Sequence, residues 1–259
     1  MSESLVTSIP LITIIMAGGL GKRMNSSIPK VLHLVKDEPM ICHVIRQSFN
    51  IHSNYILIVV GKYKEEIQNE IQKYFSKEDY SNLTFIDQIE PKGTGHAIHC
   101  CLDFLTSQNI SNQSSVLILS GDVPLIKKET IQNILTLQNT LLITELENPS
   151  GCGRIIFSDN DNYIKKIVEE KDCNKEEREI KYVNCGIYNL NLSILKKYIP
   201  LIKNNNSNHE FYLTDIVELL EKKDIQLNYY NLPKDKKNEI VNINTQDELR
   251  FVNNIFISE

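Results

Sequence analysis

Short runs of β-branched and aliphatic residues alternate along this chain with stretches of helical periodicity, and few folds tolerate that order. Residues 11–16 (LITIIM), 55–60 (YILIVV), 83–86 and 116–119 (VLIL) are continuous apolar runs, the pattern of strands buried on both faces. Between them the spacing of apolar residues predicts helices over 40–50, 64–75, 95–105 and 127–138. Strand and helix in alternation imply right-handed crossovers and a mostly parallel sheet covered on both faces, a three-layer α/β architecture. From about residue 141 the alternation loosens. Residues 154–158 and 163–168 flank a DNDN turn and read as a hairpin. A strand over 182–190, helices near 193–202 and 212–222, a strand near 226–232 and a last helix near 245–255 follow. The polar stretches 172–179 and 203–208 read as solvated loops too short to link domains. The expectation is a single domain over 1–259 with a small β-rich lobe in its later part.

Composition narrows the function. The 259 residues suffice for one large or two small domains, and 41% hydrophobic with 24% charged residues disfavours a disordered or fibrous chain. No apolar run approaches the roughly 20 residues that cross a bilayer. Residues 9–17 follow Glu3 and no basic residue, which makes a poor secretion signal and a good buried strand. A net charge of −5 argues against nucleic acid or an anionic membrane as the main partner. It leaves room for a small anionic substrate served by a divalent ion and a few local cations. Six cysteines (Cys42, Cys100, Cys101, Cys152, Cys173, Cys185) show no CxxC pair or regular spacing, so free thiols and a cytoplasmic location are expected.

The strongest local signal follows the first strand: Met16-Ala17-Gly18-Gly19-Leu20-Gly21-Lys22-Arg23-Met24, then Pro29-Lys30-Val31. Three glycines in four positions let backbone N–H groups approach phosphate oxygens, and Arg23 and Lys30 add charge for a polyphosphate. The same glycines also suit a tight turn with two surface cations. A Walker-A loop fails, because Met16 stands where its first Gly belongs and Arg23 where its Ser/Thr belongs; a dinucleotide fingerprint fails at Met24. Asp122 lies just past the end of the strand at 116–119, where open α/β sheets place ligands. A carboxylate there suits Mg²⁺, which takes one or two protein oxygens beside substrate phosphates, or caps a turn. Gly93-Thr94-Gly95-His96-Ala97 opens a helix, with Thr94 as a candidate N-cap. His96, His99 and Cys100 share helical spacing but lack a fourth ligand for zinc, so a packed or hydrogen-bonded histidine is the better reading. Gly153, Glu169 and Asn184 sit at turns or strand ends, suited to sugar hydroxyls or to plain turn and surface roles.

In order along the chain these segments resemble the nucleotide-sugar pyrophosphorylase family. The likeness is nearest to the uridyltransferase half of bacterial N-acetylglucosamine-1-phosphate uridyltransferases. It runs from about Ile12 to Asn254 and rests on AGGLGKRM, IPKVLHLV, the Gln88–Ala97 stretch ending in KGTGHA, LSGDVPLI, GCGRI, IVEEKD, VNCGIY, EFYLTDIV and VNIN. The resemblance implies a Rossmann-like nucleotide-diphospho-sugar transferase fold, with a nucleotide-binding half at about 9–140 and a sugar-binding half at about 141–259. It implies conversion of UTP and N-acetylglucosamine 1-phosphate to UDP-N-acetylglucosamine and pyrophosphate with Mg²⁺.

By the same resemblance, Met16, Ala17, Gly18 and Gly19 cradle the nucleotide, Arg23 holds the departing pyrophosphate, and Lys30 bridges the reacting phosphates. Gln88, Gly93 and Thr94 read uracil, and Asp122 and Asn244 hold the metal. Gly153, Glu169 and Asn184 position the sugar, with Tyr212 and Thr214 lining its pocket. Four residues depart from the family pattern: Lys22 for Thr, Ser120 for Tyr, Cys185 for Thr and Asn242 for Gly. The hexapeptide repeats of the bifunctional enzymes do not appear, so neither acetyl transfer nor their trimer is expected, and a monomer or small homo-oligomer is. The competing expectations are a nucleotidyltransferase for another sugar 1-phosphate, such as glucose 1-phosphate, and a non-catalytic nucleotide-sugar-binding protein.

Overall fold

The computed structural model of the chain describes residues 9–19, 21–158 and 163–258. The apolar runs form β1 (Leu11–Met16), β4 (Tyr55–Val60), β5 (Leu83–Asp87) and β6 (Ser115–Ser120), with a two-residue ribbon of β2 (Leu34–Val35) and β3 (Glu38–Pro39) between the first two. β7 (Thr140–Glu145), β8 (Arg154–Phe157), β9 (Ile164–Val168), β10 (Tyr182–Asn191) and β11 (Asn228–Asn231) follow. The main sheet runs β11-β7-β10-β6-β1-β4-β5, parallel throughout except that β10 is antiparallel to both of its neighbours on that path. β7 was absent from the sequence reading, although its TLLITE run is buried at five of six positions and obeys the same rule as β1. The β-rich lobe reduces to the β8–β9 hairpin, joined to β10 at Val183 opposite Arg154; the DNDN turn lies outside the described residues.

Strand alternation sends successive side chains to opposite faces, and each face has its own core. Ile15, Ile58 and Leu119 pack with α1 (Met40–Asn50), α2 (Lys64–Ile71), α5 (Lys128–Leu135) and α9 (Gln246–Ser258). Ile14, Leu57 and Ile118 pack on the other side with α4 (Thr94–Ser107), α7 (Leu192–Tyr198) and α8 (Asp215–Glu221). Each such fully buried aliphatic side chain stabilises the fold by about 1.5–3 kcal/mol. Two one-turn helices, α3 (Lys77–Ser81) and α6 (Lys175–Arg178), were not expected. The second falls in a stretch read as a loop, and its signal is Asn174 and Glu177, which form a reciprocal capping box.

This order decides where the functional residues meet. Met16 pairs with Ser120 on one side and with Val59 on the other, so the chain leaves β1, β4 and β6 at one edge of the sheet. Gly121 N–H donates to the Met16 carbonyl (2.9 Å), tying the turn after β6 to the glycine-rich loop. β10 carries a bulge between Asn184 and Tyr188, where Gly186 takes φ +72°. That break bends the strand beside Asn184.

Candidate active site

The edge formed by the ends of β1, β5 and β6 opens into a cleft of about 640 Å³. Met16, Ala17, Gly18, Gly19, Lys30, Gln88, Gly93, Thr94 and Asp122, all singled out in the sequence, line it. Arg23 and Asn244 line a smaller pocket of about 150 Å³ that shares Gly21 and Lys30 with it. Gly21 takes φ +59°, a left-handed conformation that glycine adopts without a Cβ penalty. Leu20 and the side chain of Lys22 lie outside the described residues.

Charge concentrates where the two pockets meet. Lys30 Nζ forms an ion pair with Asp122 Oδ2 and donates to Asn244 Oδ1 (3.1 Å). The other carboxylate oxygen, Oδ1, accepts from Ser120 Oγ (2.6 Å) and from Asn242 Nδ2 (3.4 Å). Two of the residues that depart from the family pattern thus hold the same oxygen. Asn244 is fixed in turn, because its N–H and that of Thr245 donate to Glu248 Oε2 at 2.7 and 2.9 Å. A carboxylate and an amide oxygen aimed at one cation are hard donors, and two of them fit the protein share of a Mg²⁺ site completed by phosphates and water. No cluster of three or more His, Cys, Asp or Glu arranged for a metal occurs among the described residues.

On the opposite wall Gln88 is buried and braces two loops. Its Nε2 donates to the Gly93 carbonyl (2.9 Å) and lies 3.2 Å from His96 Nδ1. Gly93 takes φ +113° and caps α4, and a Cβ on it would sit 2.5 Å from the Phe211 carbonyl oxygen. Glycine is therefore required there. Thr94 is the first helical residue rather than the cap, since its hydroxyl accepts from Leu213 N–H (2.9 Å) and so fastens the helix to the EFYLTD segment.

The second half brings its candidates together as a separate group. Asn184 N–H donates to the Gly153 carbonyl (2.9 Å), a Cβ on Gly153 would lie 3.5 Å from Glu169 Oε2, and Thr214 Oγ1 donates to Glu169 Oε1 (2.9 Å). Asn184 Oδ1 is occupied by Gly186 N–H (2.9 Å). None of these residues lines the cleft, nor does Tyr212, which is buried with its hydroxyl accepting from Asn208 Nδ2 (2.7 Å). Burial pushes the Glu169 carboxyl above its ordinary value, the Thr214 hydroxyl opposes, and Asp172 and Glu210 add to the rise. Asp215 is pushed up to about 6, first by burial and then by Glu169, Glu218 and Asp172.

Sequence reasoning missed three contributors. Glu210 lines the cleft; it stands at the head of the EFYLTD run, the one available signal. Ser120 was noted only as a substitution. Arg154, 1% exposed, binds Glu170 Oε2 (2.7 Å) and the Cys152 carbonyl, while the same Glu170 oxygen accepts from Gly151 N–H (3.0 Å). It thereby fixes the turn that carries Gly153.

Fold and cleft together describe an α/β protein with a glycine-lined pocket carrying Lys30 and Arg23 at the sheet edge. A family model described as nucleotidyl transferase matches residues 12–236. The chain belongs to the nucleotidyl transferase family and is an enzyme of it. It is 44% identical over 248 residues to a probable UDP-N-acetylglucosamine pyrophosphorylase of Acanthamoeba polyphaga mimivirus, covering 93% of this chain and 94% of that protein. It is 36% identical over 248 residues to the bifunctional protein GlmU of Alkaliphilus metalliredigens, of which it spans 51%. A crystal structure of UDP-glucose pyrophosphorylase complexed with UDP-glucose superposes with a TM-score of 0.72 at 19% identity, covering 96% of this chain and 99% of that one, a likeness of fold. No helix among the described residues is long and apolar enough to cross a membrane.

Proposed function

We propose that the chain converts UTP and N-acetylglucosamine 1-phosphate to UDP-N-acetylglucosamine and pyrophosphate with Mg²⁺. The observation that carries this reading is the meeting of Lys30, Asp122 and Asn244 at the junction of a nucleotide-sized cleft and a smaller cationic pocket. A phosphate oxygen of the sugar phosphate attacks the α-phosphorus of UTP, forming one P–O bond as the bond to the departing pyrophosphate breaks. Residues 9–140 bind the nucleotide and residues 141–259 the sugar, working as one unit.

The chain positions and neutralises rather than attacks. Backbone groups of Met16, Ala17, Gly18 and Gly19 cradle the triphosphate, Arg23 takes the pyrophosphate in the smaller pocket, and Lys30 follows the charge on the reacting phosphates. Asp122 and Asn244 hold the Mg²⁺, which supplies neutralisation of phosphate charge when bound. Gln88, Gly93 and Thr94 enclose the base. Gly153, Glu169 and Asn184, grouped outside the lining of the cleft, take the sugar, with Tyr212 and Thr214 beside them. The name of the mimivirus relative supports the acetamido sugar. Six unpaired cysteines support a cytoplasmic setting, and a monomer or small homo-oligomer suffices for the site.

Pyrophosphate release, measured with each nucleoside triphosphate against N-acetylglucosamine 1-phosphate and glucose 1-phosphate, tests the reading. Release confined to UTP and the acetamido sugar is expected. Faster turnover of glucose 1-phosphate would move the sugar assignment, and no release from any pair would sink the proposal.

A further inference from the structure

We infer that His96 is a positioning residue that fixes which end of the Gln88 amide faces the nucleobase, and so makes the cleft favour uracil over cytosine. The inference rests on the proposed reading of this cleft as a nucleotide site with Gln88 at the base.

An amide nitrogen donates and cannot accept, so the 3.2 Å approach of Gln88 Nε2 to His96 Nδ1 makes Nδ1 the acceptor and puts the ring hydrogen on Nε2. The other hydrogen of the same amide goes to the Gly93 carbonyl at 2.9 Å. Both donors are thereby spent on protein acceptors. Its Oε1 lies on the Gly18 side, where a Cβ on residue 18 would come within 2.9 Å, and no hydrogen bond among the described residues uses it. Gln88 therefore offers the cleft an acceptor alone. Uracil carries an N–H at N3, whereas cytosine carries a lone pair there, so this acceptor matches one pyrimidine and repels the other. Turning the amide over would set Oε1 against the Gly93 carbonyl, and against Nδ1 as well unless the ring hydrogen moved there from Nε2. Without His96 only one of those two restraints remains.

Protonation of His96 should act in the same direction as its removal, because the imidazolium donates from Nδ1 towards an amide that also donates. The groups facing the ring are Lys92 and His99, which oppose its charge, Glu90, which favours it, the Cys100 sulfur 3.9 Å from Nε2, and the Phe211 ring. Burial first, then Lys92 and His99, hold His96 below the ordinary imidazole value against the opposing pull of Glu90, which favours the neutral ring at pH 7.

The test is the ratio of kcat/KM for UTP to that for CTP at a fixed sugar phosphate, together with calorimetric affinities for the two nucleotides. His96→Phe keeps a ring without the acceptor and should lower the ratio about 3–10-fold, the worth of one hydrogen bond. His96→Asn, whose side-chain oxygen sits near the place of Nδ1, should restore most of it. The wild-type ratio should fall as acid protonates the imidazole, and that of His96→Asn should stay flat. An unchanged ratio in a folded His96→Phe, or a wild-type ratio flat through the imidazole range, overturns the inference. Should His96→Phe fail to fold, the wild-type pH dependence decides alone. Gln88→Leu separates the two layers. If it leaves the ratio unchanged, the base is read elsewhere and the parent reading fails. If it abolishes the preference while His96→Phe keeps it, only the role of His96 falls.

Discussion

The two ends of the site solve opposite electrostatic problems. At the β1–β6 edge Asp122 faces the Lys30 ammonium, and its remaining oxygen is held by Ser120 and Asn242. Across the molecule Glu169 has no ion pair among the described residues, is held by the Thr214 hydroxyl, and lies near Asp172, Glu210 and Asp215. One end is prepared for charge and the other for neutral hydrogen bonding. The difference matches a reaction in which phosphates and a cation meet on one side and sugar hydroxyls lie on the other. A carboxylate works as a cation ligand only while ionised, whereas a carboxyl that protonates readily still exchanges hydrogen bonds with an uncharged ligand.

Four substitutions break or sharpen this contrast. Asp122→Asn keeps the shape and removes the charge; with several kcal/mol of charge stabilisation lost, turnover should fall about 10³-fold while nucleotide-sugar binding weakens far less. Near-normal turnover in this variant would refute the metal assignment. Ser120→Ala leaves one oxygen of the same carboxylate to Asn242 alone and should weaken Mg²⁺ or Mn²⁺ binding about tenfold, read by metal titration of both turnover and calorimetric heat. Glu169→Gln should be far milder than Asp122→Asn, raising KM for the sugar phosphate about 2–10-fold with little change in kcat. A loss as large as that at Asp122 would mean the sugar end also depends on charge.

The smallest effect concerns stability. Asp215 has its folded-state value raised to about 6, so the native state holds the proton more tightly than the unfolded chain. Its ionisation therefore destabilises the fold as pH rises through 4–6, and the penalty is fully present above that window. Asp215→Asn should raise the melting temperature by about 2–4 °C at pH 8, with the gain vanishing near pH 4. A gain independent of pH would show that packing, rather than charge, limits this position.

Much of the fold was legible because both of its signals are local. The residue bounds of β1, β4 and α1 follow from continuous apolar runs and helical spacing alone. β7 and α6 carried their signals too, an aliphatic run and an Asn-x-x-Glu capping box, and were passed over because the surrounding sequence is irregular. The antiparallel course of β10 was not legible, since nothing in a strand's own residues tells which neighbours it will join.

The site divides along the same line. Sequence by itself determined the chemistry on offer: a glycine-rich loop followed by Arg23 and Lys30, a carboxylate past the end of a strand, and GTGH at a helix start. Only the tertiary structure decided how these groups are spent. Lys30 and Asp122, 92 residues apart, become partners because β1 and β6 are neighbours in the sheet. Ser120 changes from a substitution into a partner of the Asp122 carboxylate, Thr94 from a cap into a clasp on Leu213, and Gln88 spends its donors on Gly93 and His96. The physical reason is that a side chain's type fixes which hydrogen bonds it can make, whereas its burial and its neighbours, set by sheet order, fix which of them remain for a ligand.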